Sequence, residues 1–169
     1  RWTPEELERE GEIWREYAAS KCPPFYPGFL DVLRRFVAAG GLLVTCTHSE
    51  ESMARRHFRE QADGLMPVLV YGWTKDRSKM KPNPYPVHDV MERLGVAQQD
   101  ILVLDDLSPG IKMGKAAGVA TAAAGWGEGH TVPQIRDDMR ALCDYYFATV
   151  ADFAAFLFCE SDSTSSESS

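Results

Sequence analysis

The sequence predicts an α/β fold in which a parallel sheet carries helices on both faces. Two patterns carry that expectation. Short apolar runs alternate with longer amphipathic segments along nearly the whole chain, the signature of strand–helix–strand units. The run Ile101–Leu104 enters two adjacent aspartates, Asp105 and Asp106, and then a Ser-Pro-Gly helix start. An apolar run of that length reads as a strand buried on both faces, and open α/β sheets place ligands at the C-terminal ends of such strands.

The elements follow in order. Thr3 caps a first helix, with Pro4 at its first position and Glu6 completing a capping box. Leu7, Gly11, Trp14 and Ala18 share one face of it at helical spacing. Pro27-Gly28 opens a second helix whose Phe29, Val32, Leu33, Phe36 and Val37 form an apolar stripe, ended by Gly40-Gly41. Leu42–Cys46 is a short strand, and a charged helix runs from Ser49 to about His57. Met66–Tyr71 is the next strand, followed by the polar loop GWTKDRSKMKPNP. Pro84–Leu94 is a helix with Val87, Val90, Met91 and Leu94 inward and Gly95 as its stop. After the strand Ile101–Leu104 come a helix Pro109–Ala117, a strand Val119–Ala124, and a helix near Pro133–Leu142. A strand Tyr145–Ala148 and a helix Val150–Phe158 complete the alternation, with no internal repeat.

Composition narrows the function classes. A formal charge of −7 without any local block of Lys or Arg argues against a nucleic-acid partner, which needs a basic face. The four cysteines (Cys22, Cys46, Cys143, Cys159) are scattered and signal neither a zinc site nor a disulfide framework; a free buried thiol is expected for Cys46. No apolar stretch reaches membrane-spanning length and no signal peptide is visible, so no membrane partner and a reducing, cytoplasmic setting are expected. The chain starts at Arg1, almost directly with a capped helix, which suggests part of something longer. ESDSTSSESS (160–169) reads as a disordered tail.

Three positions at strand ends or in loops stand out. Thr47, directly after the strand Leu42–Cys46, can cap the next helix through a Thr47-His48-Ser49-Glu50 box. It can equally donate its hydroxyl to an anion at that helix N-terminus; alone, the cap is the commoner role. Lys81 in KMKPNP sits before prolines that stiffen its loop and fix where its side chain leaves the backbone. That suits a cation held at a set distance from a phosphate, although a loop lysine is most often a solvated charge. Lys79, without the adjoining proline, is expected to face solvent. Asp105 and Asp106 are costly in a low dielectric unless a cation shares the site, and a hard, oxygen-binding metal fits that need. Ser108 is placed to cap the helix at Pro109, so neither aspartate is needed there. His48 could contact substrate, whereas a first-turn His is more often merely exposed. Trp126 in GWGEG could shape a pocket or simply pack, and His57, His88 and His130 show no metal-ligand spacing.

Read together, the segments PGFLDVLRRFVAAGGLLVTCTHS, KPNPYPVHDVMERLGV and DILVLDDLSPGIKMGKAAGVATAAAGWG resemble the haloacid dehalogenase superfamily of phosphohydrolases. Within it they resemble the phosphoglycolate phosphatase and phosphoglucomutase-like branch. CDYYFATVADFAAFL resembles the family's last strand and helix, so the likeness covers roughly Tyr26 to Leu157. Three motifs in the right order and spacing are far more specific than any one alone.

The resemblance implies a Rossmann-like three-layer α/β/α core and a Mg²⁺-dependent phosphatase acting on a small phosphorylated metabolite. Thr47, with His48 beside it, would bind the phosphoryl group, Lys81 would neutralise its charge, and Asp105 and Asp106 would hold Mg²⁺. An aspartate of the family attacks phosphorus to give an aspartyl-phosphate, and a second aspartate two residues later acts as acid and base. That Asp-x-Asp-Gly-Thr motif does not occur in these 169 residues. The nucleophile is therefore expected upstream, on a strand lying between those that carry Thr47 and Asp105. Residues 1–22 would be the remnant of a helical cap, 23–159 a core lacking its first strand, and 160–169 the tail. The alternatives are an inactive relic or regulatory binding module, a phosphosugar mutase, and, far behind, a phospho-acceptor receiver domain, whose acidic pair would come first in the chain. Substrate and oligomeric state are not legible.

Overall fold

A computed structural model of the chain describes residues 3–158. Alternating apolar and amphipathic segments give seven helices and five strands among them, all strand pairs parallel. The first helix, α1 (Pro4–Ser20), opens as the sequence predicts: Glu6 N–H donates to Thr3 Oγ1 and Thr3 N–H to Glu6 Oε2 at 2.7 Å. Its predicted face falls on Leu7, Trp14 and Ala18, whose side chains lie outside the described residues, as do the tail 160–169 and Cys159.

The order continues α2 (Phe29–Ala38), β1 (Val44–Cys46), α3 (Glu51–Gln61), β2 (Leu69–Tyr71) and α4 (Tyr85–Leu94). It ends β3 (Leu102–Asp105), α5 (Ser108–Ala117), β4 (Ala120–Ala124), α6 (Pro133–Leu142), β5 (Tyr145–Phe147) and α7 (Val150–Phe158). The strands form two separate parallel sheets, β1–β2 and β3–β4–β5. Register runs Thr45 to Val70 in the first and Val103 to Thr121 in the second.

The two-residue period of β3 shows how the layers form. Leu102 and Leu104 join a cluster with Val32, Phe147 and Phe153, which brings α2 and α7 to one face. Ile101 and Val103 join Val87, Met113, Ala117 and Val119, which brings α4 and α5 to the other. The α/β/α expectation therefore holds. One part of it does not: β3 is only partly buried along its length, whereas β4, reading ATAAA, is the buried strand. Among the described residues β3 pairs only with β4, and β1 only with β2. Each keeps one edge unpaired, so β3 has helices on both faces and no neighbour on one side. Val37 is also exposed, at the outer end of an α2 stripe whose Val32 and Leu33 carry the burial.

Candidate active site

Three loops meet at the C-terminal ends of β1 and β3. Thr47 leaves β1 with its N–H bonded to the Tyr71 carbonyl at 2.8 Å, so the strand pairing itself fixes its backbone. Its Oγ1 accepts from Ser49 N–H at 3.0 Å, a two-residue side-chain turn. The expected capping box does not form: α3 starts at Glu51, with Glu50 in the cap position and no side-chain cap. A hydroxyl that accepts there keeps its own proton to donate elsewhere.

Lys81 is drawn inward. Its Nζ lies 2.5 Å from Asp105 Oδ2, and both side chains are only 9% exposed. His48, exposed as a first-turn histidine was expected to be, turns its Nε2 to the Lys81 carbonyl at 3.1 Å and ties the Thr47 loop to the Lys81 loop. Cys46, one residue before Thr47, is partly buried and free, and burial pushes its thiol up while Lys81 pulls it down. Lys79 behaves as the predicted control: 52% exposed, 3.8 Å from Asp76 on the surface.

The two aspartates are not equally buried, which corrects the expectation of two buried acids. Asp105 is the buried one and its cation is Lys81. Its other oxygen accepts the Leu107 N–H at 2.8 Å. This turn, rather than Ser108, shapes the start of α5: Leu107 takes the cap position with no side-chain cap, and Ser108 is already helical. Gly110, in the first turn of α5, makes room for the carboxylate; a Cβ there would lie 1.9 Å from Asp105 Oδ2. Asp106 faces solvent. The protein around it and the adjacent Asp105 charge push its carboxyl above the ordinary range, against a weaker pull from its own N–H and Lys81.

A divalent cation suits this donor set in part. Among the described residues Asp106 makes no ion pair, and its exposed carboxylate lies beside the Asp105 charge, where negative charge is in excess. Both oxygens of Asp105 are already engaged. Among the described residues no group of three or more His, Cys, Asp or Glu converges to hold a metal.

A cleft of about 610 Å³ lies beside the site, at the ends of β4 and β5, lined by Tyr26, Trp126, Gly127, His130 and Thr149 among others. Trp126 both packs, against Phe29 and Phe153, and lines this cleft. His130 is the residue that spacing rules missed: it is buried, and its Nε2 lies 3.0 Å from the Asp106 carbonyl. His57 is held by the Pro23 carbonyl and stacks on Phe25, and His88 is exposed. No described helix is long and apolar enough to cross a membrane.

The comparisons agree with this architecture. The chain is 34% identical over 104 residues to a phosphoglycolate phosphatase of Rhodospirillum rubrum, a stretch covering 60% of this chain and 42% of that protein. It thus spans less than half the length of that relative. CbbY from Rhodobacter sphaeroides, solved in complex with phosphate, superposes with a TM-score of 0.65 at 17% identity, over 89% of this chain and 66% of CbbY. A D,D-heptose 1,7-bisphosphate phosphatase from B. bronchiseptica, complexed with magnesium and phosphate, gives a TM-score of 0.61 at 15% identity, over 80% and 84% of the two chains. These likenesses concern the fold. The family model of haloacid dehalogenase-like hydrolases matches residues 3–118, and the chain belongs to that family.

Proposed function

We propose that Thr47, Lys81 and Asp105–Asp106 form the phosphate- and metal-holding half of a phosphoryl-transfer site. The site would serve a Mg²⁺-dependent phosphatase of the phosphoglycolate phosphatase-like branch, acting on a small phosphorylated metabolite. The observation that carries this reading is the buried Lys81–Asp105 pair, which brings the proline-flanked lysine to the end of the acidic strand and, through His48, to Thr47. An ammonium has three N–H donors. One goes to Asp105, which orients the group, and two remain for phosphoryl oxygens. The Thr47 hydroxyl donates to another of those oxygens. His48, whose ring faces the Lys81 carbonyl, steadies the two loops around the phosphoryl group. Bound Mg²⁺ would offset phosphoryl charge, with Asp106 as its direct ligand and Asp105 reaching it through water.

The attacking carboxylate is assigned to a strand not contained in these 169 residues, one that would pair with the open edges of β1 and β3 and complete a single sheet. Its aspartate would give the aspartyl-phosphate that water then hydrolyses. Residues 1–22 are read with it, as the end of a helical cap that selects the substrate. Support comes from the family membership, from the Rhodospirillum rubrum relative, a phosphoglycolate phosphatase, and from the unpaired edges that β1 and β3 keep among the described residues.

The test is hydrolysis of p-nitrophenyl phosphate by the chain carrying whatever segment precedes Arg1. Mg²⁺-dependent turnover that collapses in Asp106→Asn and Lys81→Met is expected. Turnover indifferent to both substitutions would remove these residues from the site.

A further inference from the structure

We propose that His130 is a positioning residue for Asp106: its ring pins the Asp106 peptide and thereby aims the Asp106 carboxylate at a divalent cation. The inference rests on the reading of Asp106 as a cation ligand.

His130 lies in the short helical turn Glu128–Thr131 after β4, far in sequence from Asp106, and is 5% exposed. A carbonyl oxygen only accepts, so the 3.0 Å contact to Asp106 O makes His130 Nε2 the protonated nitrogen. In the neutral ring Nδ1 is then an acceptor, and the Tyr146 hydroxyl on β5 lies 3.2 Å from it as the donor. One tautomer satisfies both bonds. The phenol that enforces it is itself held. Arg140 stacks over the Tyr146 ring at 4.5 Å, and Gly125 leaves the phenol its path, since a Cβ there would sit 2.4 Å from the hydroxyl. Both ring nitrogens of His130 are thus engaged within the protein, and neither is left for substrate or metal.

Asp106 is what needs such a tether. It stands in the link between β3 and α5, exposed, at the residue before the helix cap Leu107. Asp105 is fixed by Lys81 and by the Leu107 N–H, whereas among the described residues the Asp106 carboxylate has no comparable cation of its own. Its carbonyl bond to His130 therefore sets the peptide plane from which the carboxylate projects. The arrangement is one step removed from the usual outer partner of a metal site: it acts on the ligand's main chain and leaves the carboxylate oxygens free. A histidine serving only to fasten the loop 125–131 would show the same burial, so the discriminating readout is cation affinity in a folded chain.

The experiment titrates the full 169-residue chain with Mn²⁺, followed by water-proton relaxation, with circular dichroism as the check on folding. Asp106→Asn serves as the control. His130→Leu is expected to weaken Mn²⁺ binding about 10-fold, the scale of outer-partner losses. His130→Gln, which keeps an N–H near the position of Nε2, should restore affinity to within about 3-fold. Tyr146→Phe, which releases the tautomer and keeps the ring, should give an intermediate loss of about 3-fold and decides the matter if His130→Leu does not fold. A folded His130→Leu chain, or failing that a Tyr146→Phe chain, that binds Mn²⁺ as tightly as the parent while Asp106→Asn does not overturns the inference alone. A parent chain with no Asp106-dependent Mn²⁺ binding overturns the metal reading and this inference with it.

Discussion

Replacing Lys81 by methionine tests the pair on which the site is built. Lys81 and Asp105 are each 9% exposed and sit 2.5 Å apart, so methionine keeps most of the packing and leaves a carboxylate buried without its cation. Removing one partner of a buried pair costs about 3–5 kcal/mol. The aspartate can limit that cost by binding a proton. For an ordinary carboxylate this costs about 4 kcal/mol at pH 7, about three units above its midpoint, and about 1.5 kcal/mol at pH 5, about one unit above it. The sign follows from linkage. In the variant the folded chain binds that proton more tightly than the unfolded chain, so the substitution adds a loss of stability as pH rises above about 4. With a urea slope of about 2 kcal/mol/M, the unfolding midpoint should drop by about 2 M at pH 7 and by less than about 1 M at pH 5. The assay is urea unfolding followed by far-ultraviolet circular dichroism. The double variant Lys81→Met/Asp105→Asn should regain most of the loss, because no charge is then stranded. A loss below about 0.5 M at pH 7, or equal losses at both pH values, would refute the coupling.

Other consequences follow from neighbouring contacts. Gly110→Ala places a methyl group where the Asp105 carboxylate lies, so it should destabilise the chain by about 3 kcal/mol or more and add little once Lys81 is already methionine; thermal unfolding of the single and double variants measures both. Asp144 is held down to about 2, first by Lys115 and then by Thr121, so its contribution is complete above about pH 4 and is lost as pH falls toward 2. Asp144→Asn should therefore flatten the acid limb of the stability profile. Tyr71 donates to Asp89 at 2.6 Å and pins β2 to α4; Tyr71→Phe should cost about 1 kcal/mol in denaturant unfolding. Because the Asp106 carboxyl is raised, Mn²⁺ affinity should begin to fall with decreasing pH at a higher pH than an ordinary aspartate would give, as a Mn²⁺ titration repeated across about pH 4 to 7 would show.

Much of the fold was legible because strand and helix periods differ sharply here. The helices Pro133–Leu142 and Val150–Phe158 end where the sequence places them, and the Thr3–Glu6 box forms as read. Gly95 and Gly118 stop their helices in the left-handed region, where glycine alone is at ease. The apolarity of Ile101–Leu104 was misleading in one respect. It records helices on both faces and carries no information on whether a strand pairs along both edges. The acids were misread for a related reason. Sequence placed two carboxylates side by side, but which one turns inward depends on Lys81 arriving from a loop 24 residues away. Ser108 looked like a cap because serine favours that position, yet Asp105 had already taken the Leu107 N–H. His130 was invisible to a search for ligand spacing, since both of its partners lie on other elements and one is a main-chain carbonyl.

The most direct test of the half-site is p-nitrophenyl phosphate hydrolysis by the purified 169-residue chain in Mg²⁺. With the attacking carboxylate assigned to a strand outside these residues, no turnover above the uncatalysed rate is predicted. Robust Mg²⁺-dependent turnover by this chain alone would contradict that assignment and require a nucleophile among residues 1–169.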